Sequence, residues 1–428
     1  MNKHLGILLL SVAALLVIGA VVIDSVTMRQ AVPHLLHSHL LLIGLGLLGA
    51  AGLSFMNYAW WRRWHVPQIL IVVALVLLGL VLVPGVGTCR NGAYRWLWKF
   101  QPSELAKLAG LIGLADYCAA HLAEMDLRRV GFTRPALLAG LWIGLIFAEP
   151  DWGTAALSAV IAAALLYLAG AHWGYLVASG IVGVELLIHA LLLKPDKLTR
   201  ILVFLDPQRF ADAEGRQVWH SLVAIGSGGW VGALLGGDGH KLAFVSQQRS
   251  DFILSRVAED FGFVGAALVV LLFISIVICG VRIGWRIADP FGRFLVLGIT
   301  LLIGTQAFIN IGVATSSLPN KGIPLPFVSH GGSSMVTLLL GVGLLVSVGR
   351  HASILPVVRL PKKARPEPEP SSAASGEGPA PASQPGLLAA VREALRRIPR
   401  PRRNPFATLD RRHAYQKLPR GVGVGSYN

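Results

Sequence analysis

Stretches of predominantly apolar residues, each long enough to cross a bilayer, recur along most of this chain. Ten can be delimited, at 5–23, 38–57, 67–84, 103–120, 134–149, 152–170, 172–193, 262–282, 292–314 and 328–350. A helix needs about 20 such residues to span the hydrocarbon, so the pattern predicts an all-α polytopic membrane protein with about ten transmembrane helices. Only 14% of the 428 residues are charged, and the mean hydropathy is +0.63, which rejects a reading as two or three soluble domains. The fourth and fifth runs are the weakest: Glu104, Lys107 and Asp116 interrupt one, and the other is short. The first begins with Lys3 like a signal peptide. It is long, lacks a small-x-small cleavage site and is followed by further spans, so it reads as a retained anchor.

Cys89, Cys118 and Cys279 are odd in number and show no CxxC spacing, which excludes a disulfide framework and a thiolate metal site. The net charge of +16 would suggest nucleic acid if it were evenly spread, but +9 of it lies beyond residue 350. Basic loops favour the cytoplasmic side. With the N-terminus inside, the cytoplasmic loops hold Arg62 and Arg63, then Arg128, Arg129 and Arg134, then Arg282, Arg286 and Arg293, and the tail is also inside. No nucleic-acid partner is expected.

The expected organisation is a membrane domain over 1–350 with a large extracytoplasmic loop, about 194–260, between spans 7 and 8. Val218 to Ile225 in that loop is apolar enough for a short surface or re-entrant helix. Gly226, Gly228, Gly229, Gly232, Gly236, Gly237 and Gly239 come next, forming either a hinge or close-packing segment or a disordered connector. Residues 351–428 read as a disordered basic tail, with a short amphipathic segment near 387–398 suited to a lipid surface, a partner or solvent.

In so apolar a chain, charge near the membrane is costly unless paired, hydrated or used. The densest such cluster runs from Asp251 through Arg256 and Glu259 to Asp260. Arg90, Arg95, Lys99, Lys241, Arg249 and Lys321 fall on the outer side against the positive-inside bias. Each alone could be a headgroup anchor; together they suggest an anionic ligand, since a guanidinium can bind two phosphate oxygens at once. Glu104 and Lys107 are three apart on one helix face behind Pro102, either as a buried ion pair or as the wall of a polar cavity. Glu149-Pro-Asp151 places two carboxylates at a helix break, which invites a cation, a basic partner or a shifted pKa. Leu318 to Ser334, with three prolines and then Gly331-Gly-Ser333-Ser334, describes a folded-in loop whose N–H groups and hydroxyls could cradle an anion.

These segments, in this order, resemble the SEDS family (shape, elongation, division and sporulation proteins). The matching stretches are Asn91-Gly-Ala-Tyr-Arg95-Trp, Gln101-Pro-Ser-Glu104-Leu-Ala-Lys107, Glu149-Pro-Asp151-Trp-Gly-Thr154, Ser221 to Gly229, Ser250-Asp251-Phe-Ile and Pro324 to Ser334. The resemblance covers about 5–350 and favours the family's division branch over its elongation branch. It implies a peptidoglycan glycosyltransferase that polymerises lipid II at the outer face of the bacterial cytoplasmic membrane, at the division septum. The implied partners are a lipid-linked glycan strand, a class B penicillin-binding protein and other division proteins. It places the essential carboxylate on Asp251, and puts Arg95, Glu104, Lys107, Asp151, Lys321, Ser333 and Ser334 on substrate-binding positions. No cofactor is implied, and a divalent cation is left open. Ser246-Gln-Gln-Arg249-Ser250 stands where the family has Pro-Glu-x-His-Thr, and His330 where a Tyr is common.

An inverting transfer needs one base for the acceptor hydroxyl and cations for the departing diphosphate. Asp251 with Arg95, Lys107 or Lys321 suits both demands. The rival readings are a lipid II flippase, the elongation-type polymerase and a non-enzymatic division scaffold.

Overall fold

The computed structural model describes residues 2–30, 34–90, 93–98, 100–192, 199, 202–211, 215–232, 251–320 and 322–352. Within them each of the ten apolar runs is a helix: α1 (Asn2–Gln30), α2 (His34–Phe55), α3 (Val66–Leu82), α4 (Pro102–Ala120), α5 (Arg134–Ala148), α6 (Trp152–Ala169), α7 (Trp173–Leu192), α8 (Ile253–Gly284), α9 (Pro290–Ala314) and α10 (Ser333–His351). Eight are long and apolar enough to cross a membrane on those grounds alone. The other two are α3, with 17 residues, and α4, which carries Glu104, Lys107 and Asp116.

Local sequence explains where the helices begin. Pro67, Pro102, Pro135 and Pro290 each sit in a first turn, where a missing N–H costs nothing and φ is already helical. The Asp151 carboxylate accepts from the Thr154 N–H at 3.3 Å and that of Asp289 from Gly292 at 2.8 Å, capping α6 and α9.

Two helices form the centre: 83% of the apolar window of α10 and 67% of that of α9 are buried. Helix α2 packs along α10, α1 along α8, and α9 against α4, α6 and α8. The connections after α3, α5 and α9 gather at one end of the bundle. There a two-stranded antiparallel hairpin, Thr88–Arg90 with Ala93–Trp96, precedes α4. At the opposite end Arg62 holds Asp116 at 2.7 Å, so the carboxylate that interrupts the fourth run in sequence is paired near the end of α4.

The long connection after α7 carries a helix, Arg216–Ser227, over the stretch where the sequence predicts one. It lies on α8 and α9, and the buried Ser221 hydroxyl donates to the Ala314 carbonyl at 2.8 Å. Of the glycines read there, Gly228 and Gly232 are a packing device, each with backbone of residues 258–262 where a Cβ would lie. Helix α8 breaks at Gly262 (φ +67°), so residues 253–261 form a separate helix at the loop end of the span. The Phe263 N–H donates to the Gly229 carbonyl at 2.8 Å, and a Cβ on Gly262 would lie 2.5 Å from the Gly232 nitrogen. Gly236, Gly237 and Gly239, Lys241, Arg249, and the tail with its 387–398 segment lie outside the described residues, as do Lys99 and Lys321.

Gly262→Ala is therefore expected to destabilise the protein by about 2 kcal/mol or more, from positive-φ strain plus a backbone clash. Gly44→Ala, with nothing within 4 Å of the added Cβ, should change stability by less than about 1 kcal/mol. Thermal unfolding in detergent separates the two.

Candidate functional site

Two amides on α9 organise the loop end of the bundle. Gln306 and Asn310 are one turn apart and essentially inaccessible to solvent. The Asn310 side-chain NH₂ donates to the Asp251 carbonyl at 2.9 Å and to the Ile323 carbonyl at 2.7 Å. The Gln306 NH₂ donates to the Pro324 carbonyl at 3.0 Å and to the Ser334 hydroxyl at 3.3 Å, while its Oε1 accepts from Lys107 Nζ at 3.4 Å. Lys107 Nζ also donates to Glu104 Oε1 at 2.9 Å, an i,i+3 pair buried on the inner face of α4. A small apolar cavity between α4, α5 and α6, walled by Leu111, Trp142 and Ile161, ends at Lys107. The Asp251 carboxylate faces Gly322: a Cβ there would lie 3.5 Å from Oδ2.

A second group joins the first through Gln101. Its backbone N–H donates to the Ser333 hydroxyl at 2.9 Å, and its side chain to Asp151 Oδ2 at 3.1 Å. Arg95, on the second hairpin strand, donates from Nε to the Glu149 carbonyl at 3.2 Å and also to the Pro150 carbonyl; its Nη1 lies 3.9 Å from Asp151 Oδ1. The hairpin thus delivers its cation to the break between α5 and α6. The Glu149 side chain is fully buried, and neither carboxylate oxygen has a hydrogen-bond partner. Burial, helped by the neighbouring Asp151 charge and opposed by Arg95, pushes its pKa up to about 8.

The charge cluster read in sequence divides in two. Asp251 turns toward α9. Arg256 instead binds Glu259 at 2.7 Å and Asp260 at 3.2 Å, and donates to the Ser25 hydroxyl of α1 at 3.3 Å, all within the protein. Residues 256, 259 and 260 share one helix face, which ties 253–261 to α1.

Of the residues singled out from sequence, Asp251, Arg95, Glu104, Lys107, Asp151, Ser333 and Ser334 fall in one connected polar set. Lys321 lies outside the described residues. The Ser333 and Ser334 hydroxyls each accept a hydrogen bond from within the fold, so both pin the loop that begins α10. Sequence reasoning missed Gln306 and Asn310. The available signal was two amides four apart in an otherwise apolar run. It also missed His39, a fully buried residue of α2 whose ring nitrogens make no hydrogen bond and whose ring lies 5.5 Å from that of His330. For a divalent cation, no group of three or more His, Cys, Asp or Glu side chains suited to a metal occurs among the described residues.

The family model described as Cell cycle protein, of FtsW, RodA and SpoVE type, matches residues 2–354. The chain belongs to this family. It is 34% identical over 361 residues to a probable peptidoglycan glycosyltransferase FtsW of Trichlorobacter lovleyi, covering 82% of this chain and 94% of that protein. Stage V sporulation protein E of Bacillus subtilis is 35% identical over 320 residues, covering 73% and 86%. Among solved structures, a chain from "Structural coordination of polymerization and crosslinking by a peptidoglycan synthase complex" shares 30% identity with a TM-score of 0.67, over 80% of this chain and 96% of that one. The rod shape determining protein RodA of Thermus thermophilus shares 29% with a TM-score of 0.59, over 80% and 95%. Helices α1 to α10 all lie within the matched residues.

These contacts carry two expected outcomes. Lys107→Met leaves Glu104 buried and uncompensated, so it should destabilise by about 3–5 kcal/mol; adding Glu104→Gln should restore part of the loss, as read by thermal unfolding. Glu149 gives a pH signature. Below its ordinary value of 4.5 it is protonated both folded and unfolded. Between there and about 8 only the unfolded chain ionises, so stability falls as pH rises, and it levels off above 8. Glu149→Gln should be less sensitive to pH between 5 and 8, and its melting temperature should gain on the wild type across that window.

Proposed function

We propose that this chain is a peptidoglycan glycosyltransferase that polymerises lipid II into glycan strands during cell division. The observation that carries the reading is the α9 bridge. Asn310 and Gln306 tie the Asp251 segment to Lys107, Glu104 and the 322–334 loop in a chain of the FtsW/RodA/SpoVE family. The positive-inside pattern supports a loop end at the outer face of the bacterial cytoplasmic membrane and both termini in the cytoplasm. The division septum is the proposed location.

In the proposed reaction the 4-hydroxyl of a lipid II GlcNAc attacks the anomeric carbon of the lipid-linked strand. The new C–O bond forms as the bond to the diphosphate breaks, configuration inverts, and the diphosphate leaves with the electron pair. Asp251 takes the hydroxyl proton as general base. Arg95, whose side chain keeps 27% of its surface open, together with Lys321, stabilises the departing diphosphate. Lys107 and Glu104 are buried beneath Gln306, and they position the cavity wall and the loop of Ser333 and Ser334. Asp151 orients Arg95 and Gln101. A class B penicillin-binding protein is the proposed partner, in keeping with a similar chain solved in a complex that coordinates polymerization and crosslinking. The membrane domain, 1–350, holds the chemistry; the basic tail, 351–428, serves recruitment.

Purified full-length protein should polymerise lipid II in vitro, assayed with and without a cognate class B penicillin-binding protein. Asp251→Asn should lower the rate about 10²–10⁴-fold while sparing membrane insertion and lipid II binding. A loss under about threefold removes Asp251 from the role. Lost lipid II translocation in vesicles with polymerisation intact would install the flippase reading instead. Arg95→Ala should cost about 10- to 150-fold, and Arg62→Ala, at the opposite end with Asp116, should not.

A further inference from the structure

Helix α7 stands apart from the other spans. None of its residues is buried, although its 20 residues are apolar enough to cross a membrane. It is attached near its start, where the Tyr175 ring stacks on Phe132 at 5.5 Å and Arg128 lies over the same ring. Leu176 packs against the core there, and farther along only Leu187, Ala190 and Leu191 are partly covered. At about 100° per residue, Leu176 and Leu187 lie about half a turn around the helix from Glu185. The carboxylate therefore points away from the bundle.

Glu185 is exposed, and none of the ion pairs among the described residues includes it. It lies seven residues before Leu192, so roughly 10 Å inside the end of the span, within a hydrocarbon layer about 30 Å thick. His189, one turn on, shares its face and is also exposed. Ionisable groups within spans nearly always face a bundle interior or a water-filled cavity, because lipid tails offer them no partner. Among the described residues, this one faces neither.

Charge decides what covers it. A second copy related by a two-fold axis along the membrane normal would set Glu185 against Glu185, a like-charge contact. Lipid amines lie in the headgroup layer, above the depth of the carboxylate. A basic side chain at the same depth answers both the charge and the burial. We propose that the Glu185–His189 face of α7 is the docking surface for a transmembrane helix of another membrane protein that carries an arginine or lysine at the depth of Glu185. The proposal does not depend on the enzymatic reading.

The test uses fluorescently labelled full-length protein in phosphatidylcholine–phosphatidylglycerol vesicles. It is mixed with two Leu/Ala transmembrane peptides of identical flanks, one with a single Arg at the Glu185 depth and one with Leu there. Energy transfer should show the Arg peptide binding about 3- to 20-fold more tightly, the span of measured interhelical hydrogen-bond energies in membranes. That advantage should vanish in Glu185→Leu and persist in Val160→Leu, a substitution at an exposed position of α6. Because Glu185 is exposed, Glu185→Leu should keep the wild-type melting temperature. Equal binding of the two peptides, or an Arg preference that survives Glu185→Leu, would overturn the proposal. So would self-association of the protein that Glu185 drives and that excludes the peptide, since the occupant would then be a second copy.

Discussion

The loop end of this protein depends on two side-chain amides in a largely apolar helix. Asn310 and Gln306 lie where an unmet hydrogen bond costs about 1–3 kcal/mol. Their donors are directed to the carbonyls of Asp251, Ile323 and Pro324 and to the Ser334 hydroxyl. Those contacts fix two chain segments against one rigid span. Lys107 then donates to the remaining Gln306 oxygen, so the α4 ion pair is registered against the same span. In a low-dielectric interior such a network is stable only when its members are satisfied together. Asn310 Oδ1 and Glu104 Oε2 are acceptors left without a hydrogen-bond partner, and the first belongs to the amide that holds Asp251.

Asp251 is placed by the ten residues on its C-terminal side. Phe252 is fully buried in an apolar socket with Val203, Val218 and Val313. Residues 253–261 are then held by the Arg256 network to α1 and by the Gly232–Gly262 contact, where two backbones meet too closely for a side chain. Three independent attachments over so short a stretch make the position of the carboxylate a property of the bundle.

Much of this was legible in sequence for simple reasons. Spanning runs report helices because nothing else satisfies a backbone in lipid, and Pro102 marked the start of α4. The Glu104–Lys107 pair and the Glu149–Asp151 break were readable because three-residue spacing and a proline have fixed local meanings. The features that stayed hidden depended on tertiary direction. Whether Asp251 or Arg256 turned toward α9 is a matter of helix phase beyond a break at Gly262, which the sequence does not announce. That the Ser333 and Ser334 hydroxyls accept hydrogen bonds from within the fold also stayed hidden, because the donors, Gln101 and Gln306, are distant in the chain. Glu185 was one carboxylate in an apolar run, and only the partial cover of Leu176 and Leu187 on the opposite side shows that it faces outward.

The charges at the loop end are balanced in a way that bears on an anionic substrate. Lys107 is neutralised by Glu104 at 2.9 Å and sealed in the interior, so little of its field is available to a ligand. Arg95 is the looser cation, 3.9 Å from Asp151, with its remaining bonds made to carbonyls. Ionised Glu149 would add a second carboxylate beside it. With its pKa pushed up to about 8, Glu149 is mostly protonated at neutral pH, and Arg95 then faces one negative charge instead of two. Burying Glu149 thus leaves Arg95 the more receptive to the proposed diphosphate, and that receptivity weakens as pH rises through the Glu149 titration.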